Sequence, residues 1–181
     1  MRPTHALLRS LSVLALLTGA VACADLPVEP GGANGRPGSF DLEEVASSEL
    51  LVCPTEDAVS ARAIIGPEGG SVGVRGSSIS IPAGAVAEPT RFEVVVPASR
   101  YMKVEFSAVG QSHFEFQLPA TITINYARCT NSSTPTEEAL TGAYLADDTD
   151  QVLELMGGTV DKTGHKLSFS TSHLSGYAVA Y

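Results

Sequence analysis

The chain has 181 residues, 44% hydrophobic and 17% charged, the composition of a folded protein with room for one ordinary domain and its appendages. Against 20 Asp and Glu stand 11 Lys and Arg, a formal net charge of −9, and no segment gathers basic residues into the stripe that a phosphate backbone requires, which argues against a nucleic-acid partner. With no Trp and 6% aromatic residues, the sequence offers no obvious set of stacking platforms for bases or sugar rings.

At the N-terminus, Arg2, His5 and Arg9 stand at the head of an uncharged run from Ser10 to Ala22 containing "LSVLALLTGAVA". A short basic region followed by such an apolar core has the length of a secretory signal and is too short for a span of about 20 apolar residues. Small residues in "GAVAC" directly precede Cys23, and this segment resembles the lipobox of bacterial lipoproteins, although Ala20 stands where the family usually has Leu. The resemblance implies removal of residues 1–22 and lipidation of Cys23, with acyl chains contributing about 0.8 kcal/mol per buried methylene. The alternative is an ordinary cleaved signal with a coincidental cysteine. In that family an Asp directly after the cysteine marks retention in the inner membrane. Here Ala24 holds that place and Asp25 follows, which implies delivery to the outer membrane, facing periplasm or cell surface. Loss of Arg2 and Arg9 leaves 9 basic against 20 acidic residues, a net charge of −11. So acidic a surface is not drawn to anionic lipid, and the expected membrane contact is the lipid anchor.

Residues 24 to about 50, including "ADLPVEPGGANGRPGSFDLEE", are dense in Pro, Gly and acid and show neither the helical nor the strand period. They read as a flexible spacer, whose about 25 residues give a root-mean-square reach of roughly 25 to 30 Å. The expected division is a signal peptide over 1–22, the lipidated cysteine and its tether over 23–58, and an all-β domain over 59–181.

From residue 59 onward, short runs rich in Val, Ile, Phe, Tyr and Thr are separated by Gly and Pro. Strands are expected at "ARAII", "SSISIP", "RFEVVV", "KVEFSAV", "HFEFQL", "TITINYA", "GAYLA", "QVLEL", "KLSFST" and "GYAVAY", with turns at "GPEGG", "PAGAV", "GG" and "KTG". In "TITINYA", Ile122, Ile124 and Tyr126 share one face, and Thr121, Thr123 and Asn125 the other, which is the signature of a sheet buried on one side. In the last run Tyr177, Val179 and Tyr181 alternate with Ala178 and Ala180. Pro82, Pro97 and Pro119 each end an apolar run, where a missing N–H costs no interior ladder bond. Closely spaced strands without an amphipathic helix argue for an antiparallel β-sandwich.

Gly69 and Gly70, the strand "SISIP" ending at Pro82, and "AGAV" from Ala83 to Val86 make the segment from Ile64 to Val96 resemble the opening of the ZU-five domain. That β-sandwich is shared by tight-junction scaffolds, netrin receptors and ankyrins, and occurs in bacterial envelope proteins. The likeness extends at fold level over about 120 residues, with its sharp part in this segment and the terminal "HLSGYAVAY". It implies a scaffold or interaction module in place of a metabolic enzyme, with an envelope protein or a glycan as partner; fold likeness alone goes no further. Independently of the family, Gly69 and Gly70 suit a tight turn with positive φ, and Gly84 suits one after Pro82.

With Cys23 assigned to lipid, Cys53 and Cys129 remain as an even pair in an exported chain, where disulfides persist. They are expected to bond, closing a loop of roughly 77 residues worth about 4 kcal/mol of chain entropy. Two free thiols, or a bond between chains, are the alternatives.

The chemistry-bearing residues are sparse. His5 falls in the signal, and His113, His165 and His173 form no HExxH or helically spaced pair; His113 reads as a surface residue and His165 as part of the "KTGHK" turn. Asp147, Asp148 and Asp150 offer oxygen ligands for calcium but lack the turn glycine and distal Glu of an EF-hand, so a solvated loop is the plainer expectation. No CxxC, GxSxG, P-loop or GxGxxG is present, and no metal or cofactor is expected. Asn131 in "NSS" fits an N-glycosylation pattern that a bacterial lipoprotein would not normally use.

His173-Leu174-Ser175 matches the tripeptide that supports self-cleavage in related mammalian ZU-five and adhesion-receptor domains. The resemblance implies His173 as base, Leu174 as acyl residue and Ser175 as nucleophile. Such chemistry also needs a strained peptide bond and an oxyanion hole, and cleavage would release only residues 175–181. A closing strand with an intact C-terminus is therefore expected.

Overall fold

A computed structural model describes residues 48–130, 136–147 and 149–181. The signal segment, Cys23, residues 24–47 of the spacer, Asn131 and Asp148 lie outside the described residues. Among those described, the strands are β1 Val59–Ile65, β2 Gly70–Val74, β3 Ser77–Ile81, β4 Thr90–Val96, β5 Lys103–Ala108, β6 Glu115–Asn125, β7 Thr141–Leu145, β8 Val152–Gly157, β9 Thr159–Asp161, β10 Lys166–His173 and β11 Gly176–Ala180. One sheet runs in the order β1-β4-β5-β11-β7-β8 and the other in the order β2-β3-β6-β10-β9, with every pairing antiparallel. This is the expected all-β sandwich.

Its core forms where inward side chains of the two sheets meet. Ile122 and Ile124 of β6 and Tyr126 just beyond it are fully buried, whereas Thr121 is exposed and Thr123 and Asn125 are half-buried, as the alternation in "TITINYA" requires. Phe92, Val94, Phe106, Leu167 and Phe169 fill the same layer, each contributing roughly 1.5–3 kcal/mol by leaving water. The closing strand β11 is covered on both faces. Tyr177 and Val179 enter the main core, while Ala178 and Ala180 join Leu50, Ala143 and Leu145 in a second apolar cluster on the outer face of the six-stranded sheet.

Three local readings change. The runs "HFEFQL" and "TITINYA" belong to a single strand, β6. Its register against β10 breaks between Thr171 and His173, where Ala120 and Glu115 are the respective partners, so Pro119 sits in the irregular stretch and interrupts no regular ladder. Strand β2 was hidden by its Gly and Ser content, since Val72 is the one buried side chain in it. Arg75 and Gly76, with φ of 53° and 81°, link β2 to β3 in a two-residue hairpin of the kind that needs positive φ at both positions. Arg75 is held there by Glu56 at 2.9 Å and the Asp57 carbonyl at 3.0 Å. Strand β9 is only three residues long and follows the expected Gly157-Gly158 turn, which carries the chain from one sheet to the other.

The largest correction concerns residues 48–58, which composition assigned to the tether. Leu50, Leu51 and Cys53 are buried, and residues 49–53 form a ribbon stitched into the six-stranded sheet. Beyond Lys103, β11 has no further partner in β5, and the ribbon takes over. Glu49 and Tyr181 exchange two main-chain hydrogen bonds at 3.0 Å, and the Leu51 N–H donates to the Val179 carbonyl at 2.8 Å. On the other side, the Met102 N–H donates to the Leu51 carbonyl at 2.9 Å and the Cys53 N–H to the Arg100 carbonyl at 2.8 Å. The Cys53–Cys129 disulfide is present, with Cα atoms 4.3 Å apart across a sequence separation of 76. Arg128 adds hydrogen bonds to the carbonyls of Pro54 and Tyr101.

The turns flanking β2 and β3 depend on Gly69 and Gly84, at φ of +77° and +82°. A Cβ at Gly69 would lie 2.6 Å from the Ile81 carbonyl oxygen and 2.7 Å from the Ala83 nitrogen, whereas at Gly84 it would meet nothing closer than Leu118 at 3.7 Å. Gly84→Ala is therefore expected to cost about 1–2 kcal/mol through backbone strain alone, and Gly69→Ala clearly more. Equilibrium urea unfolding checks the ranking, and equal stabilities of the two variants would contradict the turn geometry.

Candidate functional site

The His173-Leu174-Ser175 tripeptide forms the link between β10 and β11. The His173 ring packs edge-on against Tyr144, centroids 4.9 Å apart, and near Tyr177 at 6.2 Å. Ser175 turns its hydroxyl to Asp147, donating to Oδ1 at 3.4 Å. Among the described residues no hydrogen bond joins His173 to Ser175. The main chain on either side of the Leu174–Ser175 bond is clamped, Leu174 N–H donating to the Phe114 carbonyl at 3.1 Å and the Ser175 carbonyl accepting from Phe106 at 3.0 Å.

What closes this link is a hydroxyl network. The Tyr177 hydroxyl donates to the His173 carbonyl at 2.7 Å and lies 2.7 Å from the Thr171 hydroxyl, which itself stands 2.9 Å from the same carbonyl. Thr171 and Tyr177 are both buried, so a lost partner would leave a desolvated polar group, which costs about 1–3 kcal/mol. Burial pushes the Tyr177 phenol up to about 12, against an ordinary value of 10.0.

The remaining sequence candidates do not converge. His113 is exposed and lies 3.2 Å from Glu115. His165, at φ 49°, accepts the Tyr126 N–H on its carbonyl and places its ring nitrogen 2.9 Å from Glu137. Glu137 also accepts from the Tyr126 hydroxyl at 3.0 Å. Burial first, and that hydrogen bond second, hold the Tyr126 phenol well above its usual range. In the acidic loop, expected to be solvated, Asp147 accepts from Ser175, Asp150 pairs with Lys103 at 2.9 Å, and Asp148 lies outside the described residues. Among the described residues no group of three or more His, Cys, Asp or Glu is placed to hold a metal ion.

A different place gathers binding chemistry. An open groove of about 730 Å³ lies over the outer-face apolar cluster, lined by four segments far apart in sequence: residues 48–50 with Val52, Arg100 with Tyr101, residues 150–152, and Tyr181. Leu50, Tyr101 and Val152 belong to or pack against that cluster, and Val52 and Tyr181 stay 48% and 37% exposed above it, apolar surface available to a ligand. The Arg100 guanidinium stands 4.9 Å from the Tyr101 ring centroid. The Tyr181 hydroxyl donates to Glu49 at 3.2 Å, and partial burial together with this bond raises its pKa. No local motif signals the groove, since it exists only once the ribbon, the link before β5 and the start of β8 are brought to one end of the sheet.

No protein-family model matches this chain, and comparison with curated proteins finds no match.

The Tyr177 network carries a pH dependence of definite sign. Because burial favours the neutral phenol in the folded state, the stabilisation is complete below pH 10, the unfolded value, and is lost as pH rises through about 12. On the order of 2–3 kcal/mol should disappear across that window. Tyr126, shifted in the same direction, adds to the loss. Denaturation midpoints from pH 8 to 12 should therefore fall less steeply for Tyr177→Phe than for the unmodified chain, and equal slopes would contradict this assignment.

Proposed function

We propose that this chain is an exported lipoprotein in which a ZU-five-like β-sandwich serves as a non-enzymatic interaction module. In this reading Cys23 carries the lipid, residues 24–47 form the tether, and the sandwich faces the periplasm or the cell surface from the outer membrane. The observation that carries the proposal is the Cys53–Cys129 disulfide, a bond that persists in oxidising compartments and is rare in reducing ones. It agrees with the secretory-type N-terminus and its small residues before Cys23. The outer-face groove gives the module a surface on which an envelope protein or glycan can bind.

The self-processing alternative draws less support. Its nucleophile, Ser175, is engaged by Asp147, and its base, His173, packs edge-on against Tyr144 with no hydrogen bond to Ser175 among the described residues. A general base acts on a hydroxyl within hydrogen-bond reach.

Two readouts on one set of preparations test the proposal. In detergent phase separation of whole cells, the unmodified protein should enter the detergent phase and Cys23→Ser the aqueous phase. The purified ectodomain should show the full mass through Tyr181, unchanged by Ser175→Ala. A Cys23→Ser protein that remains in the detergent phase contradicts the anchor, and a mass short of residues 175–181 that Ser175→Ala restores would establish self-processing instead.

A further inference from the structure

We propose that the groove on the outer face of the six-stranded sheet binds a neutral glycan. This rests on the reading of the domain as an interaction module and names the ligand class of that module.

Sugars present apolar C–H faces beside hydroxyls that both donate and accept, so their sites combine amphipathic rings with mixed polar groups. The groove supplies both. Tyr101 and Tyr181 bring phenol rings to its wall, each with an apolar body and a polar tip. Around them stand Glu49 and Asp150 as acceptors, Arg100 as a donor, and the Gln151 amide as both. The volume of about 730 Å³ falls within the usual range of ligand sites.

Charge selects against a polyanion. Asp150 in the lining is paired with Lys103, and Glu49 and Arg100 offset one another, so the groove carries no excess of positive charge on a chain whose net charge is −9. An acidic polysaccharide would meet long-range repulsion with no local cationic excess to offset it, whereas a neutral one would not. At the ribbon, main-chain bonding selects against an added peptide strand. Strand addition needs a row of unpaired N–H and C=O groups, and the ribbon at the groove is bonded along one side to Val179 and Tyr181 and along the other to Arg100 and Met102. Recognition at the ribbon therefore falls to side chains.

Several of those side chains already have partners. Tyr181 is tied to Glu49, Asp150 to Lys103 at 2.9 Å, and Arg100 lies on the Tyr101 ring. Beneath them Leu50, which lines the groove, belongs to the apolar cluster of Ala143, Leu145, Ala178 and Ala180. Groups held in place before binding lose less entropy on contact with ligand.

The test uses the mature chain in co-sedimentation with insoluble chitin, cellulose and xylan, with alginate as a soluble anionic competitor. Calorimetry follows with the hexasaccharide of whichever polymer carries the protein down. The proposal expects sedimentation with at least one neutral polymer, no competition by alginate, and at least tenfold weaker hexasaccharide binding in Gln151→Ala and Tyr181→Ala. Val109→Ala, outside the groove lining, should bind as the unmodified chain does, and an unchanged melting temperature of the exposed-site variant Gln151→Ala separates lost contact from lost fold. Failure to bind every neutral polymer overturns the proposal, as does binding that both groove variants retain or that alginate displaces. An envelope protein bound at the groove in place of a glycan would overturn the ligand class and leave the interaction module standing, whereas a chain that binds neither would bring down both.

Discussion

The ribbon of residues 49–53 is the constraint on which the rest of the six-stranded sheet depends. Strand β11 lies at the centre of that sheet, yet β5 partners it only as far as the Lys103–Ala178 pair. Past that point, the carbonyl of buried Val179 would be left unpaired, and such groups are costly. The Leu51 N–H satisfies the Val179 carbonyl, the Val179 N–H donates to Met102 at 3.0 Å, and the Met102 N–H returns to Leu51. Three chain segments are thus locked by a closed cycle of main-chain bonds. Cys53–Cys129 fixes the end of this ribbon to the short 3-10 turn Ala127–Cys129 that follows β6. The loop so closed removes about 4 kcal/mol of entropy from the unfolded chain.

The same ribbon creates the surface proposed for function. Leu50 packs on Ala180 and its neighbours, converting an outer sheet face into a second small core. Val52, Tyr101 and Tyr181 then border an open groove in place of an exposed apolar sheet. The ribbon that completes the sheet and the border of the groove are therefore built from the same few residues.

What the sequence discloses follows from how local each interaction is. The alternation of Ile122, Ile124 and Tyr126 with Thr121, Thr123 and Asn125 is a period-2 signal, and their burial follows it. The turns at Gly69, Gly84 and Gly157-Gly158 are encoded by residues that tolerate positive φ. The disulfide was legible because only two cysteines remain after Cys23. By contrast, β2 carries a single buried side chain, and its Arg75-Gly76 turn departs from the Asn-Gly and Asp-Gly pairs that usually mark such hairpins. The ribbon has no local signal because its stability comes from main-chain bonds to residues about 50 and 130 positions away and from three side chains, Leu50 outward and Leu51 and Cys53 in the main core. A two-residue apolar pair after an acidic, Pro- and Gly-rich stretch has no period to detect. The groove was equally silent, and composition even argued against stacking platforms. The fold brings Tyr101 and Tyr181 into the lining of one groove.

Amide hydrogen exchange of the oxidised protein, followed residue by residue by NMR, tests the ribbon most directly. Leu51, Cys53, Met102 and Val179 should exchange as slowly as the amides of β5 and β11, because they open only when the sheet opens. If Leu51 and Cys53 exchange at the rate of free chain while Val104 and Tyr177 stay protected, the ribbon is not part of the folded unit, and the account of the sheet and of its groove is wrong.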